Sequence, residues 1–250
     1  MKIEQSMYSK YIPNIQIPYT LILPKSCKRT ILWLHGYRER AEQLLANGPF
    51  ERLAEQYETA ILFPDVPDTY YLNQPWNRCY TEDFLLKEFL PTVTDSHNLP
   101  NNRGSLYIAG ISMGGFGSLL LGSHNPELFG KIACISGAFI IDDLLIGNPE
   151  VVGSFANFAH FQNLFGDLPS LADCCERNPL LSSKQALVRH QLPPVFIACG
   201  TKDLLYTRNQ KLFHKLEMTG ADIAWWEDTG NHDWSFFGLA VSHVFQWLCG

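Results

Sequence analysis

A chain of 250 residues, 46% hydrophobic and 18% charged, suits one large α/β domain and buries enough surface to fold without a metal or disulfide staple. A net charge of −6, with no Lys/Arg run beyond two residues, argues against nucleic acid and anionic membrane as partners. No apolar span is long enough to cross a membrane and the first residues carry no apolar leader. The seven cysteines lack C-x-x-C spacing, so a cytoplasmic protein with reduced thiols is expected.

In chain order, residues 15–23 carry closely spaced apolar residues up to Pro24 and predict an opening pair of antiparallel strands. Thr30 to Leu34 is a buried strand ending at His35-Gly36, and residues 40–57 are helical with a break at Asn47-Gly48-Pro49. Thr59 to Phe63 is the next strand. An aromatic, turn-rich loop from Asp65 to Tyr80 follows, long enough to suggest function. Asp83 to Ser96 has helical spacing with a bend expected at Pro91. Strands follow at Ser105 to Ala109 and Lys131 to Ser136, separated by a helix of small and apolar residues, Phe116 to Gly122. Strands return at Val195 to Cys199 and Ile223 to Glu227, with helices at Thr207 to Thr219 and Phe236 to Leu248.

This alternation predicts a doubly wound, mainly parallel sheet with helices on both faces, whose ligand site lies at the carboxyl ends of the strands. His35, Asp65, Gly110 and Gly137 fall at such ends. Residues 140–190 interrupt the alternation with two or three helices. They read either as a surface excursion or as a cap whose phenylalanines, Phe155, Phe158, Phe161 and Phe165, line a pocket.

The run Gly110-Ile111-Ser112-Met113-Gly114 has the G-x-S-x-G form between a strand and a helix, the context of a nucleophile elbow. The pattern alone arises by chance in roughly one chain of this length in ten, so its weight depends on partners. A serine hydroxyl needs a base, and the base needs an acid to fix its tautomer. In this architecture they follow in the order Ser, Asp or Glu, His. Asp203 follows the strand at 195–199 and His232 follows the strand at 223–227, giving Ser112, Asp203 and His232 as the expected catalytic triad. Asp228, four residues before His232, is the alternative acid. His35 is the rival base but is better used in the turn at His35-Gly36-Tyr37, and the remaining histidines read as structural.

Backbone donors are needed where negative charge develops. They are expected from Met113, next to the nucleophile, and from Tyr37, with Gly36 as the alternative. Trp76 and Trp234, near strand ends, are candidates for lining the substrate pocket, with plain packing as the competing role. No phosphate loop, dinucleotide fingerprint or metal-ligand spacing is present, so no cofactor and no metal are expected.

Leu34-His35-Gly36-Tyr37, Trp76 through Asp83, Leu90-Pro91, Ala109 through Gly117, Ser136-Gly137-Ala138 and Gly200 through Asp203 together resemble the esterase D family, over about Tyr19 to Leu248. That family includes tributyrin-type esterases, S-formylglutathione hydrolases and feruloyl esterases. The resemblance implies an α/β-hydrolase fold and a serine carboxylesterase acting on small esters through an acyl-enzyme. Its partner would be a small-molecule ester, and a homo-oligomer is compatible with it. S-formylglutathione hydrolysis is the alternative activity, and a catalytically silent binding protein the alternative of another class. The resemblance carries the same roles to Ser112, Asp203, His232, Tyr37 and Met113. Tyr37-Arg38-Glu39-Arg40 departs from it by lacking the second glycine usual in that loop.

Overall fold

The computed structural model describes residues 1–147 and 158–250. It opens with antiparallel strands β1 (Lys2–Tyr8) and β2 (Gln16–Ile22), registered from Lys2 against Ile22 to Tyr8 against Gln16. Sequence patterning puts the whole pair within 15–23, whereas only β2 lies there. β1 is an edge strand exposed along most of its length, so it carries no run of apolar residues to betray it.

After β3 (Arg29–Leu34) come α1 (Ala41–Asn47), α2 (Phe50–Gln56) and β4 (Thr59–Pro64). The aromatic loop contains a small hairpin, β5 (Asn73–Gln74) with β6 (Cys79–Tyr80). A continuous helical stretch follows as α3 (Thr81–Phe84), a wide π turn (Leu85–Phe89) and α4 (Leu90–Ser96). The irregularity expected at Pro91 takes the form of that π turn, one turn earlier. A proline lacks the N–H of its position and its ring crowds the carbonyl four residues back, which a wider turn relieves.

The remaining elements are β7 (Leu106–Ile111), α5 (Met113–His124), β8 (Ile132–Ile135), α6 (Ile141–Ile146), α7 (Phe158–Phe165), α8 (Pro179–Val188), β9 (Val195–Gly200), α9 (Tyr206–Glu217), β10 (Ile223–Asp228) and α10 (Trp234–Cys249). Among the described residues the main sheet has eight strands in the order β1-β2-β4-β3-β7-β8-β9-β10, parallel from β4 onward.

Side chains alternate between two cores, as the pleat requires. In β3, Ile31 and Trp33 face a layer with Phe50 of α2 and Phe245 of α10, while Leu32 and Leu34 face Phe116 and Leu120 of α5. A sheet covered on both faces leaves the strand ends as the place for a site. Helices α6, α7 and α8 fall within the 140–190 interruption.

Candidate active site

Ser112 stands at the end of β7 with φ 56° and ψ −114°, a conformation that L-residues rarely hold. Tertiary packing enforces it. The Ser112 N–H donates to the Ile135 carbonyl at 2.9 Å, and its own carbonyl accepts from Ala138 N–H at 2.9 Å and Phe116 N–H at 3.1 Å. The neighbouring glycines admit no side chain: a methyl group on Gly114 would lie 2.0 Å from the Leu34 carbonyl oxygen, so β3 and α5 touch backbone to backbone. Asn209 of α9, fully buried, clamps the adjoining turn by accepting from Gly137 N–H at 2.9 Å and donating to Gly137 O at 2.9 Å.

Asp203 and His232 come from the loops after β9 and β10, the last two strands of the sheet. These loops are tied together by Thr201 N–H to Asp228 O at 2.9 Å and Lys202 N–H to Gly230 O at 2.9 Å. The result is a chain of hydrogen bonds: His232 Nε2 lies 3.0 Å from Ser112 Oγ, and His232 Nδ1 lies 2.8 Å from Asp203 Oδ2. The Asp203 carboxylate is wholly buried, and its other oxygen accepts from Leu205 N–H at 2.7 Å. With Asp203 accepting at Nδ1, the imidazole presents Nε2 to the serine as an acceptor. Asp228, the alternative acid, instead accepts from Thr229 N–H at 2.6 Å and is exposed.

Of the two candidate donors in the early turn, Gly36 N–H is already given to Glu39 Oε2 at 3.1 Å. Among the described residues Tyr37 N–H and Met113 N–H meet no acceptor, Met113 being the first residue of α5. His35 holds the turn from beneath. It is buried, its Nδ1 lies 2.7 Å from Gly36 O and its Nε2 3.1 Å from Val66 O, and burial pushes its pKa below the usual 6.5. Tyr71 O–H donates to the His35 carbonyl at 2.8 Å. Asp65, the other predicted strand-end residue, caps α1 through Ala41 N–H at 2.7 Å.

A cavity of about 350 Å³ opens over Ser112 and His232. Its apolar wall comes from Tyr70, Ile140, Phe161, Leu205 and Phe237, and its polar rim from Tyr37, Glu39, His160, Asp233 and Trp234. Trp234 is among its lining residues. Trp76 is not: the expectation that it lines this pocket is corrected. Its indole N–H donates to the Asn163 carbonyl at 2.7 Å and its ring lies against Arg177, so it braces the end of α7 from outside. The aromatic loop reaches the cavity through Tyr70 instead, packed edge-on against Phe116 and Phe161. Tyr70 and Tyr71 both have positive φ (54° and 63°), a turn that no composition signal announces.

Of the insertion's phenylalanines, Phe161 lines the cavity and Phe165 is core; Phe155 and the Phe158 side chain lie outside the described residues. His160, read from sequence as structural, reaches the cavity with its Nε2 2.9 Å from the Tyr37 hydroxyl. Only its place after tertiary packing marks it. Glu39 could have been singled out, since it stands in the segment that departs from the glycine-containing pattern.

A model of the family described as "Putative esterase" matches residues 14–238. An acetyl esterase from Caldicellulosiruptor saccharolyticus is 28% identical over 220 residues, covering 88% of this chain and 83% of that protein. Among solved structures, the substrate-bound fluorophosphonate-binding serine hydrolase FphF of Staphylococcus aureus matches with a TM-score of 0.88 at 22% identity, over 100% of this chain and 98% of its own. The S-formylglutathione hydrolase FrmB of the same organism matches with a TM-score of 0.87 at 23% identity, over 100% of this chain and 99% of its own. At such identities the likeness is one of fold, and the fold is the α/β-hydrolase fold expected from the sequence.

Proposed function

This chain belongs to the "Putative esterase" family and is a carboxylic-ester hydrolase, and we propose that it cleaves small esters through an acyl-enzyme formed on Ser112. The observation that carries this reading is the continuous Ser112–His232–Asp203 hydrogen-bonded chain at the floor of a mostly apolar cavity. Ser112 Oγ attacks the ester carbonyl while His232 Nε2 takes its proton. Asp203 holds the imidazole in register and stabilises its charged form. The carbonyl oxygen, now an anion, is held by Met113 and Tyr37 N–H, each donor lowering the barrier by roughly 3–4 kcal/mol in comparable sites.

Collapse breaks the carbon–oxygen bond to the alcohol, which leaves with the proton held on His232 Nε2. Water then enters, gives a proton to His232 and attacks the acyl carbon. Collapse returns that proton to Ser112 and releases the acid. The cavity's size suits a short acyl chain or a small aryl group.

In this reading the described residues of the 140–190 segment act as a cap, since Ile140, His160 and Phe161 line the cavity. We assign the protein to the cytoplasm, since all seven cysteines stand as free thiols, which suits a reducing compartment. Among the described residues no helix is long and apolar enough to cross a membrane.

The test is Ser112→Ala. Turnover of p-nitrophenyl acetate should fall by about 10⁵-fold or more, and labelling by a fluorophosphonate should vanish, with the melting temperature little changed. Full turnover by the alanine variant would sink the reading. Mass detection of an acylated Ser112 peptide after rapid quenching would add the covalent intermediate itself.

A further inference from the structure

Glu39 places a carboxylate in the cavity beside the proposed nucleophile. Its Oε2 accepts from Gly36 N–H at 3.1 Å and its Oε1 accepts from the Trp234 indole N–H at 3.2 Å. The carboxylate therefore bridges the early turn and the start of α10, two residues past His232. A methyl group built on Gly36 would lie 2.4 Å from Glu39 Oε2 and 3.6 Å from Ser112 Cβ, so one glycine separates the carboxylate from the serine.

Both partners of Glu39 are neutral, and each of its oxygens keeps a lone pair for a substrate. Among the described residues Glu39 forms no salt bridge. The guanidinium groups next to it in sequence are turned elsewhere. Arg40 Nη1 lies 3.5 Å from Asp68 and donates to the Glu39 carbonyl, and Arg38 sits 5.3 Å from the centre of the Tyr37 ring. Asp233 adds a second carboxylate residue to the rim, and no Lys or Arg lines the cavity among the described residues.

The leaving alcohol must lie next to His232, which gives it its proton. Glu39 is tied to Trp234, two residues further on, and so faces the alcohol side of the pocket. Resting on the Ser112 reading, we infer that Glu39 makes this pocket select esters of neutral or cationic alcohols and reject anionic leaving groups, glutathione thioesters with their two carboxylates included. An uncompensated charge in a cleft with low-dielectric walls is felt more strongly than one in open water.

The test uses three acetates of similar size: 3,3-dimethylbutyl acetate, its trimethylammonioethyl isostere acetylcholine, and 2-sulfoethyl acetate. Since the acyl group and the oxyanion are the same in all three, kcat/KM relative to the neutral ester isolates the alcohol side. Comparing Glu39→Gln with the parent protein then cancels intrinsic reactivity. Glu39→Gln should lower the cationic-to-neutral ratio about three- to tenfold and raise the anionic-to-neutral ratio by a similar factor. Added salt should compress both ratios in the parent protein.

Ratios that stay the same in Glu39→Gln, with the neutral ester still turned over, would overturn the proposal. If that variant does not fold, the salt series on the parent protein decides alone, and flat ratios overturn it. Loss of the underlying Ser112 reading looks different: no acetate is hydrolysed and the fluorophosphonate leaves Ser112 unlabelled.

Discussion

The floor and the roof of the cavity are built by different physics. The floor is made of turns at the carboxyl ends of β7, β9 and β10, and the main chain itself sets where Ser112, Asp203 and His232 stand. The roof is made of side chains from the aromatic loop and α7. Tyr70 and Phe161 face inward because Phe116 and Phe165 fill the space behind them. The α7 end is held by donors aimed at its last carbonyls: Gln74 Nε2 to Leu164 O at 2.8 Å, Trp76 Nε1 to Asn163 O at 2.7 Å, and Arg177 Nη1 to Phe165 O. Floor positions therefore tolerate almost no change of backbone, while roof positions should trade side chains at modest cost in stability but with altered specificity.

The sharpest way to break this contrast is on the floor. Gly114→Ala forces a methyl against the Leu34 carbonyl, which cannot move without moving β3, and should cost about 3 kcal/mol or more in urea unfolding. Unfolding midpoints unchanged from the parent would mean the elbow is looser than its contacts imply. Asn209→Ala leaves the Gly137 N–H and carbonyl without their buried partner and should destabilise by about 1–3 kcal/mol. Because Gly137 adjoins the elbow, kcat should fall with little change in KM.

The roof should respond in the opposite sense. Phe161→Ala removes an apolar wall of the cavity and is expected to raise KM for short acyl esters about tenfold while admitting longer chains, read from a chain-length series. Trp76→Ala is the matched control. It faces away from the cavity, and Gln74 and Arg177 still hold α7, so KM should move by less than about threefold. Equal effects from the two substitutions would erase the distinction between lining and bracing.

The smallest effect concerns pH. His124 is half-buried beside Glu82, with Nδ1 2.9 Å from its carboxylate. Burial alone would lower its pKa, but the Glu82 hydrogen bond and charge outweigh that and raise it above 6.5. A raised folded-state pKa stabilises below the unfolded value, and that contribution is lost as pH rises through the folded one. His35 works in the other direction. Its lowered pKa supports stability above 6.5, and this support is lost as the medium becomes acid and the buried ring must charge. His124→Gln should therefore lower stability by up to about 1 kcal/mol below pH 6.5, and the difference from the parent should vanish as pH rises through the raised His124 pKa.

The elements most legible in the chain were those whose signal is local. Buried parallel strands such as Ile31 to Leu34 announce themselves as short apolar runs. A serine between glycines after such a run states its own turn, because only glycine fits where two backbones meet. The strand-end positions of Asp203 and His232 followed from strand order alone, since a parallel sheet brings successive strand ends to one edge. β1 escaped because an exposed edge strand needs no apolar pattern, and the π turn before Pro91 because a helix can absorb a proline by widening.

Which side chains close over that edge had no local code. Tyr70 rather than Trp76 faces the cavity because two consecutive residues adopt positive φ, and His160 enters it because α7 docks across the strand ends. Glu39 faces the serine because its two acceptors find a backbone N–H and an indole N–H nearly two hundred residues apart. Main-chain turns are short-range and repeat their residue types. Contacts between distant side chains depend on the packing of everything between them, and that packing exists only once the chain has folded.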